Sequence, residues 1–599
     1  MELQEAKQFL SYPFDSALLV RKRGPIQKAL EAQDKEFLEK RIAILGGSTT
    51  QQVASFLELF LLSEGIRPVF YQSSYARFWE DAVFGNPELD EFNPDLVFVH
   101  TTIRNAKIFE LRDVEGFDQG KLIEEDIARF NQFWEALTTK FSCPIIQNNF
   151  ERPPYRLLGN QDICDARGLG YYARALNSAL YDFVSGHDTF FIHDIEGLAA
   201  DLGMLNWHDS EDWCMYKNAF AAAFLPDYAY SVSRIIKALY GKNKKAVILD
   251  LDNTLWHGVV GDDGVDGILM GTENATGEQH RELQIYLRNL TTLGTILAVN
   301  SKNEMENAVA GLEHPDSVLP PEKFASIKAN WNPKSVNMEE LADDLNLGID
   351  SFLFVDDNPA EREIISQQIP EVECVPFDNV GQVAARIDRG GYFEVTSYTE
   401  DDAKRAEMYR QNAQRKSAER SFADYDSYLA SLEMVADDVD FADEYMARIA
   451  QLTNKTNQFN LTTRRFTEDD MKGFREDGSH VCLATKLADK FGDNGLVSIV
   501  VGEEQGNTLE VILWLMSCRV MKRGLEDHML NRLVAAAADR GLEKVVGRYL
   551  PTAKNKMVKD LYKDYGFTLV EEDAEGNAIW ELKVSDFAPR ITQISIEGA

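Results

Sequence analysis

Residues 246–257 read Ala-Val-Ile-Leu-Asp-Leu-Asp-Asn-Thr-Leu-Trp-His, and Asp250 and Asp252 are the pair in this chain best placed for chemistry. The apolar run before them, Ala246–Leu249, has the pattern of a strand buried on both faces, as in parallel sheets. Open α/β sheets hold their ligands at the carboxyl ends of such strands. Two carboxylates this close and partly desolvated repel each other unless a cation lies between them. An all-oxygen site suits Mg2+. A calcium-type loop or a solvated turn is the bland alternative at this point.

Three further stretches speak against that alternative. Residues 295–299 form a second apolar run that ends in Asn300-Ser301-Lys302, with a hydroxyl able to hold a phosphoryl oxygen. Asn330-Trp331-Asn332-Pro333-Lys334-Ser335 sets a lysine in a loop ahead of a helical stretch at residues 338–345. Residues 351–355 are a third apolar run, followed by Asp356-Asp357-Asn358-Pro359. Asp-x-Asp-x-Thr followed in this order by a serine, a lysine and an acidic pair resembles the four motifs of the haloacid dehalogenase (HAD) superfamily. The resemblance implies that Asp250 attacks phosphorus and carries a transient aspartyl-phosphate. Asp252 then serves as general acid and base. Ser301 and Lys334 offset charge on the phosphoryl oxygens. Asp356 and Asp357 join Asp250 and Asp252 as candidate metal ligands, with Asp356 favoured. Lys328 is a rival for the lysine role, expected on a preceding strand or helix, and Lys302 reads as an ordinary surface lysine.

The wider chain frames this core. It has 599 residues, room for about three or four domains. With 62 basic against 98 acidic residues the net charge is −36, a field that disfavours nucleic acid and anionic membranes. Six scattered cysteines, 143, 164, 214, 374, 482 and 518, lack a Cys-x-x-Cys pair and suit a reducing compartment. The first residues show no basic-then-apolar leader, and no apolar run is long enough for a bilayer, so a cytoplasmic location is expected.

The expected fold class is α/β in three domains. A helical lead segment (1–39) precedes an α/β domain (40–240), whose apolar runs at 41–45, 95–99, 144–146 and 189–192 alternate with helical patterns at Gln51–Ser63 and residues 123–139. The HAD-like Rossmann-type core takes residues 241–395. Between residues 256 and 278 lies only a short glycine-rich stretch, so the core is expected to be capless, with a flap hairpin. A charged, solvated connector helix (396–430) leads into an α+β domain (431–585) and a tail (586–599).

Each flanking domain carries a weaker motif. Gly46-Gly47-Ser48-Thr49 after a strand resembles the nucleophile block of SGNH-type hydrolases. Asn105 is then a candidate oxyanion donor, and His208, in Leu-Asn-Trp-His without the usual aspartate, a candidate base; a binding or scaffold domain is the alternative. In the last domain, Arg519-Val-Met-Lys-Arg523-Gly524 before the helix Leu525–Asp539 resembles the diphosphate-binding turn of GNAT acetyltransferases, with Lys522 in place of the first glycine. That resemblance makes Arg519, Arg523 and Gly524 candidates for binding coenzyme A or phosphopantetheine and leaves acyl transfer as a secondary alternative.

LDLDNTLWHGVVGDDG, SKN, NWNPKS, FLFVDDNPAERE, KTNQFNLTTRR and FGDNGLVS together resemble the FkbH-like proteins, HAD phosphatase subfamily IIIC. The resemblance implies dephosphorylation of a glyceryl phosphate derived from 1,3-bisphosphoglycerate. It also implies loading of the glyceryl group onto the phosphopantetheine thiol of an acyl carrier protein; other members are plain phosphatases. Two departures stand out: Asn300 occupies a position often held by cysteine, and His257 one often held by glycine. A non-catalytic module that recruits a carrier protein remains the competing reading, and no nucleic-acid or membrane partner is expected.

Overall fold

The computed structural model describes residues 1–33, 37–110, 118–398, 404–419, 422, 424–552 and 554–597. The chain divides into two compact units, Met1–Ala238 and Leu239–Ala599.

In the first unit the strands β1 (Leu38–Gly46), β2 (Ile66–Gln72), β3 (Leu96–His100), β4 (Ile145–Asn148) and β5 (Phe190–His193) form one parallel sheet in the order β2-β1-β3-β4-β5. Ile42 to Leu45 and every residue of β3 are buried, which is why these runs are apolar without alternation. β2 lies at the sheet edge, where its Pro68 costs no ladder bond. The chain reverses direction across the sheet between β1 and β3, the position at which open parallel sheets hold ligands.

The second unit begins with another parallel sheet, built from β6 (Ala246–Leu249), β7 (Ile296–Ser301), β8 (Ser326–Ala329), β9 (Phe352–Val355) and β10 (Glu373–Cys374) in the order β10-β9-β6-β7-β8. Side chains of β6 alternate between two apolar layers. Val247 and Leu249 join Leu283, Leu287, Val383 and Ile387 on one side. Ala246 and Ile248 join Met338, Leu341, Leu345 and Ile365 on the other. This is a Rossmann-like core, and its reversal point lies between β6 and β9. From Trp256 to Asn274 the chain forms no inserted domain. His257 and Leu269 exchange backbone hydrogen bonds (3.0 and 2.9 Å), which closes a hairpin around one helical turn, Val260–Asp263. The core is capless.

The remaining sheet holds β11 (Val435–Val439), β12 (Phe459–Asn460), β13 (His480–Asp489), β14 (Gly492–Gln505), β15 (Thr508–Met516), β16 (Lys544–Tyr549), β17 (Thr568–Glu572), β18 (Ala578–Lys583) and β19 (Ser595–Ile596). Its order is β17-β18-β16-β15-β14-β13-β11-β19, mostly antiparallel, with β15 and β16 parallel only over Thr508 to Val511. Past that point β12 pairs with Leu515 and Met516 of β15.

The connector differs from the expected solvated helix. Residues 399–403, 420, 421 and 423 lie outside the described residues. In the helix Arg405–Glu419, however, Met408, Tyr409, Asn412 and Arg415 are buried. Arg415 Nε lies 2.7 Å from Asp489 of β13. The charged composition concealed one inward stripe at helical spacing, 408-412-415. Among the described residues no helix is long and apolar enough to cross a membrane.

Candidate active site

Asp250 follows β6 directly, and Asp356 and Asp357 follow β9, so all three carboxylates meet at the reversal point of the second sheet. One oxygen from each lies within 4.8 Å of the others. These are hard oxygen donors at a spacing that fits Mg2+. A cleft of about 350 Å³ opens here, lined by Asp250, Asp252, Asn253, Ser301, Lys302, Lys334, Asp357, Asn358, Pro359 and Glu361. Asp357 faces it directly. Asp356 lies behind, fully buried, with its Oδ1 accepting from the Asn358 amide (2.8 Å).

Lys334 belongs to the first turn of the helix Lys334–Leu345 rather than to the loop before it. Its Nζ lies 2.6 Å from Asp356 Oδ2 and 3.0 Å from Asp250 Oδ1. Burial works against its charge, but Asp250 and Asp356 outweigh that and hold the ammonium above its ordinary pKa. One ammonium cannot balance the carboxylates around it. Burial and then the charge of Asp250 push Asp356 up to about 6, and the same two causes raise Asp357. These carboxylates therefore carry excess negative charge, which a divalent cation would relieve. The rival Lys328 sits on β8, paired with Glu340 (2.9 Å) and Asp344 (2.8 Å), and is spoken for.

Asp252 is fixed by three donors. Trp256 Nε1 and the Val260 amide both reach Oδ1 at 2.9 Å, and Asn303 Nδ2 reaches Oδ2 at 2.9 Å. Burial raises its pKa. Trp256 reaches this position by packing over Gly311, where an added Cβ would stand 2.8 Å from the indole. Asn303 is inconspicuous in the sequence, where only its place after Ser301-Lys302 marks it. Thr254 Oγ1 accepts from the Asp357 amide (3.1 Å), tying the β6 and β9 loops together. Asn300 is fully buried, donates to the Lys334 carbonyl (2.9 Å) and accepts from Asn337 (3.1 Å). Its task is to hold the lysine-bearing helix. Ser301 lines the cleft. Lys302, read from sequence as a surface lysine, also lines it.

The other two candidate sets are arranged differently from expectation. Ser48 Oγ bonds His100 Nε2 (2.9 Å), not His208. His208 Nε2 instead donates to the Arg152 carbonyl (2.7 Å). Asn105 Nδ2 donates to the Gly47 carbonyl (2.9 Å), so this amide braces the turn instead of facing an oxyanion. His100 is the last residue of β3, hidden in sequence because it ends an apolar run. In the last sheet, Arg519 and Arg523 are buried. Arg519 Nε donates to Ser517 Oγ (3.0 Å), while Arg523 donates to Asn412 (2.7 Å) and pairs with Asp489 (3.3 Å). Gly524 takes a left-handed φ of 84° at the start of its helix, and the Lys522 amide is capped by Glu526 Oε1 (2.6 Å). These groups are engaged by partners within the last sheet and the connector helix.

Comparison with known proteins found a family model and several solved structures. Residues 41–237 match the family model described as FkbH, N-terminal domain. The N-terminal part of the protein BF1531 from Bacteroides fragilis, a crystal structure containing a phosphatase domain complexed with Mg, is 27% identical with a TM-score of 0.58. The match covers 63% of this chain and 99% of that one. Over 25% of this chain there is a likeness to the ribosomal-protein-S18-alanine N-acetyltransferase from Escherichia coli (11% identity, 94% of that chain, TM-score 0.20). The GNAT domain of S. lividans PAT matches over 24% (16% identity, 89% of that chain, TM-score 0.20). No curated protein matches the chain. The findings support a phosphatase-type function.

Proposed function

We propose that this chain is a magnesium-dependent phosphohydrolase of HAD type, acting through an aspartyl-phosphate on Asp250. The observation that carries this reading is the convergence of Asp250, Asp252, Ser301, Lys334 and Asp357 on one cleft. Asp250 attacks phosphorus as the bond to the leaving oxygen breaks. Asp252, held by Trp256, Val260 and Asn303, gives that oxygen a proton and then takes one from the water that frees phosphate from Asp250. Lys334 and Ser301 offset charge on the equatorial oxygens. Asp250, Asp356 and Asp357, with Asp252 nearby, would hold the cation, which when bound supplies Lewis-acid stabilisation of the phosphoryl charge.

Asp250→Asn should abolish phosphate release, and chelation should stop turnover of the native chain until Mg2+ is restored. The readout is released phosphate from a panel of sugar, acyl and hydroxy-acid phosphates, with circular dichroism as the fold check. Near-normal turnover by the variant would remove the mechanism.

The narrower version, in which a glyceryl group passes to the phosphopantetheine thiol of a carrier protein, draws support from the capless cleft, which leaves access for a large acceptor. Asn300 supplies no thiol and is committed to Lys334, so such a transfer would run without an acyl-enzyme at that position. Transfer of labelled glyceryl groups to a carrier protein is its test.

A further inference from the structure

Two cations line the cleft, and only one is used by the reaction proposed above. Lys334 is engaged by Asp250 and Asp356. Lys302 follows β7 and reaches Glu361, in the first turn of the helix Pro359–Gln368 after β9, with Nζ to Oε1 at 2.6 Å. β7 and β9 are the two neighbours of β6. The Lys302–Glu361 pair therefore bridges the cleft from one side of the nucleophile strand to the other. Both residues of the pair line the same cleft as Asp250, so a substrate whose phosphoryl group reaches Asp250 has this pair within its surroundings.

The pair is built to exchange partners. The Lys302 side chain is 42% exposed and Glu361 11%, so the lysine end is solvated while the glutamate end is largely buried. A partly solvated ion pair is held weakly and is broken at little cost by a competing anion. We infer that Lys302 and Glu361 form a specificity subsite for the non-phosphoryl end of the substrate. Lys302 leaves Glu361 to bind a second anionic group, and the freed Glu361 accepts from a hydroxyl or water beside it. The preferred substrates are then phosphate esters carrying a carboxylate or similar anion two or three atoms from the ester oxygen. This rests on the phosphohydrolase reading and adds to it the class of substrate.

The test uses the full chain with Mg2+ and three phosphate esters of similar size: phosphoglycolate (anionic end), ethyl phosphate (neutral) and phosphoethanolamine (cationic). The native chain should favour phosphoglycolate over phosphoethanolamine by tenfold or more in kcat/KM, mostly through KM. Lys302→Met should collapse that ratio to within about threefold, and Lys302→Arg should restore most of it. Glu361→Gln, which frees the lysine, should lower KM for phosphoglycolate. In the Asp250→Asn background, calorimetry should show the same order of affinities and its loss in Lys302→Met. Turnover of all three esters without discrimination, or a ratio unchanged in Lys302→Met, would overturn the subsite and leave the phosphohydrolase standing. If no ester or other phosphate is cleaved, the phosphohydrolase reading falls and the subsite with it.

Discussion

Lys334 opens a helix, a position where the macrodipole disfavours a cation. The placement makes sense only through Asp250 and Asp356, which flank its ammonium at 3.0 and 2.6 Å. With the lysine replaced by Met, two carboxylates, one of them fully buried, lose their counter-charge. Breaking a buried pair in this way typically costs about 3–5 kcal/mol. Lys334→Met should therefore lower the melting temperature of the metal-free protein and eliminate phosphate release. Millimolar Mg2+ should raise the variant's melting temperature more than that of the native chain, because the cation takes over the missing charge. Differential scanning calorimetry with and without Mg2+ decides this. Equal metal-induced shifts in the two proteins would mean that Lys334 and the cation do not share the same carboxylates.

At the scale of elements, strands buried on both faces were the legible part. The sequence located β6, β7 and β9 within a residue or two, because each is an unbroken apolar run that stops at an acid or a hydroxyl, where a buried strand emerges at a polar site. β2 and β8 are harder to see. β2 carries a proline and alternates, and β8 holds Lys328 in the middle of Ser-Ile-Lys-Ala. Asp250, Asp252, Ser301 and Lys334 could be read from spacing, since each follows directly from a strand end or helix start. Asn303, Glu361 and His100 could not, because their roles depend on partners 51, 59 and 52 residues away in sequence. The first sheet offers a test at this scale. Burial pushes His100 down to about 4 and His193 down to about 3, from an ordinary 6.5. Both stay neutral when folded but take a proton when unfolded below pH 6.5, so their contribution is complete above 6.5 and lost on acidification. Glu151, pushed up to about 7 by burial from 4.5, works the other way and favours the folded state as pH falls from 7 to 4.5. Between pH 6.5 and 4.5 these two imidazoles oppose this one carboxyl, so the three groups together leave about one extra proton on the unfolded state. That corresponds to about 1.4 kcal/mol lost per pH unit. Hydrogen exchange of the β1, β3 and β4 amides, corrected for intrinsic rates, should show stability falling on acidification in the native chain, with the slope smaller by about one proton's worth in His193→Gln. A slope of opposite sign would show that the imidazoles are protonated in the fold.

For the molecule as a whole, the net charge of −36 sets the terms on which any anionic ligand is admitted. A phosphate ester can overcome that field at the cleft, where Lys302, Lys334 and a divalent cation would concentrate positive charge. The turn Arg519 to Gly524 has no such reserve. Arg523 is turned toward Asn412 and Asp489, and the helix Arg405–Glu419 that supplies Asn412 also brings Arg415 to the same aspartate. Arg519 is buried against Ser517 and Met408. The Lys522 amide, which would face a diphosphate, already donates to Glu526. Beside β15, the space past its pairing with β16 holds β12, with Asn555 donating to the Asn460 carbonyl (2.9 Å). These contacts tie the connector helix to the last sheet. Coenzyme A and acetyl-coenzyme A should therefore fail to bind the full chain at sub-millimolar concentration, by calorimetry and by protection from hydrogen exchange at residues 517–530. Arg415→Met should leave Asp489 with one counter-charge fewer and loosen both the connector helix and β13, seen as faster exchange in those segments. Saturable micromolar binding of coenzyme A, with protection centred on Gly524, would mean that this turn can release its internal partners and that the last sheet holds a second active site.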